Sequence, residues 1–134
     1  MNHKILTTSA FLCALLASAP VWSGDTTPEA ELQKWNREAG QAGRADRGEA
    51  FFTRKHGYEW SCASCHNNPP TTTGKHAGTG KTVKPLAPVA NPKSLTDQAK
   101  VDKWFRRNCK DVLKRECTPM EKADVLAWLV QLGR

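Results

Sequence analysis

Two cysteines, Cys62 and Cys65, stand three positions apart and are followed at once by His66, and few folds accommodate this arrangement. The two thiols can add to the two vinyl groups of one haem, and the adjacent imidazole then lies beneath the iron. A thioredoxin-like redox pair would need a strand–helix–strand setting. A zinc site would need further ligands, which Cys109 or Cys117 could supply. The spacing therefore predicts a single covalent haem c, attached through Cys62 and Cys65, with His66 as the proximal ligand of its iron.

The N-terminus predicts export. His3 and Lys4 form a weakly basic start, and the stretch Ile5–Ala19 is almost entirely apolar or small. That stretch is too short for a membrane span, which needs about 20 apolar residues, and it matches the core of a signal peptide. We therefore expect cleavage of residues 1–23, no membrane insertion of the mature chain, and a periplasmic cytochrome domain formed by residues 24–134.

The charge balance is basic, with a formal net charge of +7 at pH 7. Basic chains often bind nucleic acid, but no recognition motif accompanies the charge here and export argues against that class of partner. Two interpretations stay open. Most Lys and Arg side chains form a solvated surface, or a cluster of them steers the docking of an acidic redox partner.

Helix start and stop signals predict an all-α fold of four helices without strands, of the class I cytochrome c type, wrapped around the haem. In chain order, the signals are the Thr27-Pro28-Glu29 start and Gly40 stop, the Asp46 cap, a cap formed by Ser94 with Asp97 or by Thr96, and the Thr118-Pro119-Met120-Glu121 capping box. Residues 67–92 are rich in proline, glycine and threonine and show no period. We expect them to form a loop around the haem edge.

The sixth position on the iron has several possible ligands. Met120 falls at a helix start, where packing is its expected role, and His56 and His76 fall in loops, although a bis-His site stays open. Helical spacing places Asn108 with Trp104 and other apolar residues on a face that we expect to point inward. Asn108 is then either a helix C-cap or an amide placed at the iron.

A second cysteine pair, Cys109 and Cys117, follows Asn108 directly. If the intervening residues stayed helical, the pair would be separated by about 12 Å, which is beyond the reach of a disulfide. A bridge therefore requires the chain to fold back between them. It would anchor the backbone beside Asn108, or serve as an ordinary staple of a small exported domain.

With these residues in view, the chain resembles the SHP family, the oxygen-binding sphaeroides haem protein type of class I cytochrome c. The resemblance spans most of the mature chain. It is carried by residues 62–66, 84–88, 91–92, 101–112 and 115–118, and Asn108 followed at once by Cys109 is its most specific feature. Gly48, Phe52 and Trp128 likewise resemble the helix crossing of class I cytochromes c.

The resemblance implies a specific chemistry. It implies that Asn108 ligates the distal side of ferric haem, and that it leaves on reduction, which opens the iron to oxygen, carbon monoxide or nitric oxide. It implies a disulfide between Cys109 and Cys117. It also implies reduction by a dihaem cytochrome c, often alongside a membrane cytochrome b.

Three functions compete on the sequence. The favoured one is a ligand-binding cytochrome with electron input. A plain electron carrier would need a permanent sixth ligand, such as Met120 or a histidine. An enzyme of the nitric oxide dioxygenase or oxygen-reducing type would rely on the haem alone, because no acid–base constellation stands out in the sequence.

Overall fold

The structure is a computed structural model that describes residues 24–134, and the predicted signal peptide, residues 1–23, lies outside the described residues. The elements are α1 (Pro28–Ala39), α2 (Ala45–Thr53), α3 (Ala63–His66), β1 (Gly74–Lys75), β2 (Thr82–Val83), α4 (Gln98–Leu113) and α5 (Pro119–Gln131). The predicted helical class is confirmed. Within the described part of the chain, no helix has the length and apolar character needed to cross a membrane.

Local capping signals fix most helix ends where the sequence predicts them. The Thr27 hydroxyl accepts a hydrogen bond from the Ala30 N–H at 3.1 Å, and α1 stops at Gly40, which adopts a left-handed φ of 71°. At α5, Thr118 and Glu121 form the predicted reciprocal capping box.

Helix α2 begins differently from the prediction. Asp46 is not its N-cap, because the helix starts one residue earlier, at Ala45, and Arg44 occupies the cap position without a side-chain cap bond. Asp46 instead lies in the first turn, where it forms an ion pair with Arg44 at 2.6 Å. An acidic side chain in that turn still interacts favourably with the helix dipole.

Helices α2 and α5 make the most extensive contact between elements in the described part of the chain, and α1 also packs on α5. A Cβ atom at Gly48 would collide with the carbonyl oxygen of Asp124 and come within 3.1 Å of the Trp128 Cβ. Beside this point the rings of Phe52 and Trp128 lie 5.0 Å apart. The three residues thus form the crossing point that the sequence suggests, and only glycine lets the backbones approach so closely.

A buried carboxylate ties the same crossing together. Asp124 accepts a hydrogen bond from the Arg44 backbone N–H at 2.7 Å and two more from the Arg47 guanidinium at 2.8 and 2.7 Å. Since a buried charge is tolerated only when it is paired and hydrogen-bonded, this arrangement fixes the start of α2 against α5.

Residues 67–92 are not wholly irregular, so the prediction of no strands is wrong in detail. Two-residue strands pair antiparallel, Gly74 with Val83 and Lys75 with Thr82. A Cβ atom at Gly74 would collide with the carbonyl oxygen of Cys65, so the hairpin lies directly against α3. The strands were missed because they are too short to show an alternating pattern.

Candidate haem site

Helix α3 is a single turn that presents Cys62, Cys65 and His66 together. The Cys62 carbonyl accepts hydrogen bonds from the backbone N–H groups of Cys65 and His66 at 3.2 and 3.1 Å. Both thiols are free and all three side chains are partly buried. The local backbone therefore brings together the two thiols and the imidazole that the motif singles out.

The imidazole of His66 suits an iron ligand. Burial lowers its pKa, with a smaller contribution from the nearby His76, so the ring is neutral and keeps a lone pair for a metal. Its Nδ1 atom is buried and has no hydrogen-bond partner among the described residues. The Phe52 ring lies 6.1 Å away and forms part of the apolar wall around it.

The thiols argue against the two competing chemistries of a Cys-x-x-Cys pair. Burial raises the pKa of Cys62 to about 12, so this thiol is not poised to react as a redox thiolate. Cys109 and Cys117 are joined to each other, with Cα atoms 5.6 Å apart, and so supply no further thiols. In residues 24–134, no three His, Cys, Asp or Glu side chains gather as a metal site. The residues present therefore fit thioether attachment of haem.

The β1–β2 hairpin contributes to the site in a way that the sequence analysis missed. The Ala77 N–H donates to the Cys65 Sγ at 3.2 Å, and the rings of His76 and Trp60 meet edge to face at 6.1 Å. The Gly78-Thr79-Gly80 run is a turn signal that could have indicated a hairpin here.

Helix α4 buries only part of the face that the sequence predicts to point inward. Its buried residues are Val101, Cys109, Val112 and Leu113, while Phe105 is partly buried and the Trp104 side chain is 48% exposed. The prediction that Trp104 points inward is therefore wrong. The buried stripe follows positions mainly four apart, which leaves Trp104 on its flank between the cations of Lys103 and Arg107.

Asn108 lies on that same flank, one turn after Trp104. It is partly buried and lies inside α4, which continues to Leu113, so its interpretation as a helix C-cap is wrong. Lys114 is the C-cap instead, in a left-handed conformation with φ of 59°, and the turn there brings Cys117 back to Cys109. The backbone next to Asn108 is thus held by a disulfide.

Two of the other possible sixth ligands, Met120 and His56, are engaged elsewhere. The Met120 sulfur accepts a hydrogen bond from the Arg47 guanidinium at 3.0 Å. The Nε2–H of His56 donates to the Phe51 carbonyl at 2.7 Å. The Nδ1 atom of His76 accepts backbone N–H groups at 3.2 and 3.3 Å, which leaves only its Nε2 atom available. The Asn108 amide, by contrast, makes no hydrogen bond to another described residue.

Comparison with known proteins places these features in a family. Residues 38–129 match a domain of unknown function (DUF1924). The chain is 44% identical over 128 residues to "Cytochrome c-type protein SHP" of Cereibacter sphaeroides, covering 92% of this chain and 98% of that protein. It is 46% identical over 87 residues to "Cytochrome c''" of Methylophilus methylotrophus, covering 62% of this chain and 60% of that protein.

Solved structures agree with the sequence matches. The structure of oxidized SHP, described as an oxygen binding cytochrome c, matches with a TM-score of 0.75 and 43% identity over 81% of this chain and 99% of that chain. Oxidized cytochrome c'' from Methylophilus methylotrophus matches with a TM-score of 0.70 and 39% identity over 77% of this chain and 92% of that chain. The fold is therefore that of a helical c-type cytochrome of the class I kind. Within this class, the chain belongs to the SHP family.

Proposed function

We propose that this chain is a periplasmic monohaem cytochrome c that binds oxygen or another diatomic ligand after Asn108 leaves the iron. The observation that carries the proposal is the contrast at the sixth position. Met120 and His56 have their ligating atoms engaged by other residues, whereas Asn108 is partly buried and its amide has no described partner. Asparagine is also a poor helix former, so its place inside α4 is better accounted for by function than by local stability.

On this proposal, Cys62 and Cys65 hold one haem c through thioether bonds, and His66 binds its iron on the proximal side. When bound, the haem supplies an iron that changes oxidation state and takes up small diatomic ligands in its ferrous form. Burial lowers the pKa of His66 and so favours its neutral imidazole, which is the form that ligates iron.

Asn108 acts on the distal side. Its amide oxygen is the ligand of the ferric state, and it departs on reduction because a neutral oxygen donor is a poor partner for ferrous iron. The freed amide N–H can then donate a hydrogen bond to the incoming molecule. The Cys109–Cys117 bridge holds the backbone beside Asn108, so the side chain returns to the same position on oxidation.

Electron input completes the proposed function. The resemblance to the SHP family supports a dihaem cytochrome c as the reductant, often alongside a membrane cytochrome b. The apolar stretch Ile5–Ala19 within the predicted signal peptide supports export to the periplasm, the compartment in which haem c is attached and the disulfide is stable.

Absorption spectra of the purified holo-protein test the proposal. The wild-type ferrous protein should be high-spin and bind carbon monoxide rapidly. Asn108→Ala should leave the ferric iron open or water-bound, while His56→Ala, His76→Ala and Met120→Leu, as matched controls, should retain the wild-type ferric spectrum.

Two results would contradict the proposal. One is a ferrous protein that stays low-spin and does not respond to carbon monoxide. The other is an Asn108→Ala protein with the wild-type ferric spectrum alongside a Met120→Leu protein with an altered one. Either result would favour the plain electron carrier.

A further inference from the structure

Two turns border an open surface groove of about 730 Å³. One wall is the segment 54–58, between α2 and α3, and the other is the turn 113–115, at the C-terminal end of α4. The Lys114 Nζ lies 6.0 Å from the centre of the Tyr58 ring, so one cation–π contact spans the two walls.

The lining of this groove is strongly basic. It contains Arg54, Lys55, Lys114 and Arg115, and none of the described side chains that line it is a carboxylate. Arg115 is neutralised by Glu121 at 2.7 Å, but the other three cations form no ion pair with a described residue. Three uncompensated positive charges therefore converge on one concavity.

A second surface groove shows that this charge pattern is not general. Its volume is similar, about 720 Å³, but its lining includes Arg44, Asp46 and Glu49 together, and Arg44 is paired with Asp46 at 2.6 Å. The charges there are balanced within the protein. In the groove between 54–58 and 113–115, by contrast, no lining carboxylate balances the positive charges.

The geometry favours a protein segment over a small anion as the occupant. Small phosphates are typically held by several converging free backbone N–H groups, but three of those at this groove, from Arg54, Tyr58 and Lys114, already donate to the carbonyl groups of Ala50, Lys55 and Lys110. What the groove offers is long cationic side chains and the Tyr58 ring, which is 48% exposed. Arginine and tyrosine are typical of protein interfaces.

The groove also reaches the hydrophobic core against which the haem motif packs. Leu113 forms part of its lining and belongs to the hydrophobic cluster against which Cys62 packs. We infer that this groove is the docking site for an acidic segment of the protein that donates electrons to the cytochrome. The identity of the occupant as an electron donor rests on the proposed function, whereas its acidic character rests on the groove alone.

Binding of an acidic peptide tests this assignment without any redox reaction. The probe is an acetylated octaglutamate peptide, titrated into the disulfide-intact holo-protein and followed by amide NMR shifts. Shifts should cluster at residues 54–58 and 113–115, and affinity should fall roughly tenfold or more as NaCl rises from about 20 to about 200 mM.

Charge reversal on each wall sharpens the test. Lys55→Glu with Lys114→Glu should weaken peptide binding roughly tenfold or more, while Lys81→Glu with Lys93→Glu, an equal charge change at exposed sites outside the groove, should change it less than about twofold. Arg54→Glu with Lys55→Glu gives a second variant that leaves the α4 turn untouched.

Several outcomes would overturn the assignment. Equal weakening by the control pair, or shifts that cluster elsewhere, would show only a diffuse basic surface. Pyrophosphate that displaces the peptide and shifts the same residues at equal or lower concentration would indicate a small-anion site. The groove variants should bind carbon monoxide as the wild-type protein does. If the wild-type ferrous protein itself does not bind carbon monoxide, the proposed function is refuted, but the evidence for an acidic peptide in the groove is unaffected.

Discussion

The crossing of α2 with α5 and the attachment of α4 are built in different ways. Backbone meets backbone at Gly48, and the buried Asp124 adds hydrogen bonds across the same contact. Helix α4 makes no comparably close backbone approach to another helix within residues 24–134. It is held by its buried side chains, by the Lys34–Asp102 pair at 2.8 Å and by the disulfide.

The two regions therefore serve different purposes: the α2–α5 crossing stabilises the fold, and α4 carries the proposed iron ligand. The α2–α5 crossing can be dense and fixed because it carries no residue that must move in the proposed function. Helix α4 carries Asn108 on the flank of its buried stripe, where a side chain can change position without disturbing the core. Substitutions in the two regions should therefore have different signatures.

The largest effect is expected at the crossing. Gly48→Ala places a methyl group against the backbone of Asp124, which cannot retreat without moving α5, and should lower the free energy of unfolding by about 3 kcal/mol. Urea unfolding followed by circular dichroism measures it. Gly133→Ala is the matched control, since its added Cβ would lie 3.5 Å from Val89, an ordinary contact.

The ferric spectrum of the folded Gly48→Ala protein should equal that of the wild type. If it instead shows open iron, the crossing and the ligand position are coupled, and the separation between the two regions is wrong.

A smaller loss of stability, with a spectral change, is expected at the disulfide. The bridge joins residues separated by 8 positions in the chain. The double substitution Cys109→Ala with Cys117→Ala removes it and should lower the free energy of unfolding by about 2.5 kcal/mol on the chain-entropy model. Because the bridge anchors the backbone beside Asn108, the ferric protein should become a mixture of ligated and open iron. A single wild-type ferric spectrum would mean that the bridge has no part in holding the ligand.

The smallest effect concerns the start of α4 and depends on pH. Asp97 caps the helix, and the hydrogen bond from Lys100 holds the pKa of its carboxyl below the ordinary value. The resulting stabilisation is complete above the ordinary aspartate pKa and is lost as the pH falls through the lowered one.

Wild-type protein should therefore lose more stability between neutral pH and about pH 3 than Asp97→Asn does. Denaturant midpoints at the two pH values measure the difference. Asp111→Asn, at another exposed position of α4, serves as the control and should behave like the wild type. If all three proteins lose the same stability between neutral pH and about pH 3, the Asp97 cap does not contribute to the pH dependence of stability.

Most helix boundaries could be predicted from the sequence because they depend on residues close in the chain. Thr27, Gly40 and the Thr118 capping box act within one turn, and the structure places each where it was expected. At the start of α4, where Ser94 with Asp97, or Thr96, was the expected cap, the N-cap is Asp97 itself. The Asp46 cap was wrong because Arg44, two residues earlier, is held by Asp124 from a distant helix. A capping rule that considers only neighbouring residues cannot predict a contact with a distant helix.

The buried face of α4 could not be predicted from local sequence alone either. Periodicity groups Trp104 with Val101 and Asn108, but two neighbouring rows of a helix surface satisfy almost the same spacing. Packing decides between them, and Cys109 and Leu113 define the buried row. The extent of the helix beyond Asn108 was also missed, because the left-handed cap is Lys114 rather than the glycine or asparagine that such a position usually takes.

The packing around the two haem-motif thiols has a consequence for the order of assembly. Cys62 packs against the hydrophobic core with a pKa of about 12, and the hairpin lies against Cys65. A thiol in the state of Cys62 is a poor nucleophile. On the proposed attachment, the thioether bond to Cys62 must therefore form while the chain is still open. The folded polypeptide is then the product of haem insertion, and the maturation machinery has only the interval before helix docking in which to act.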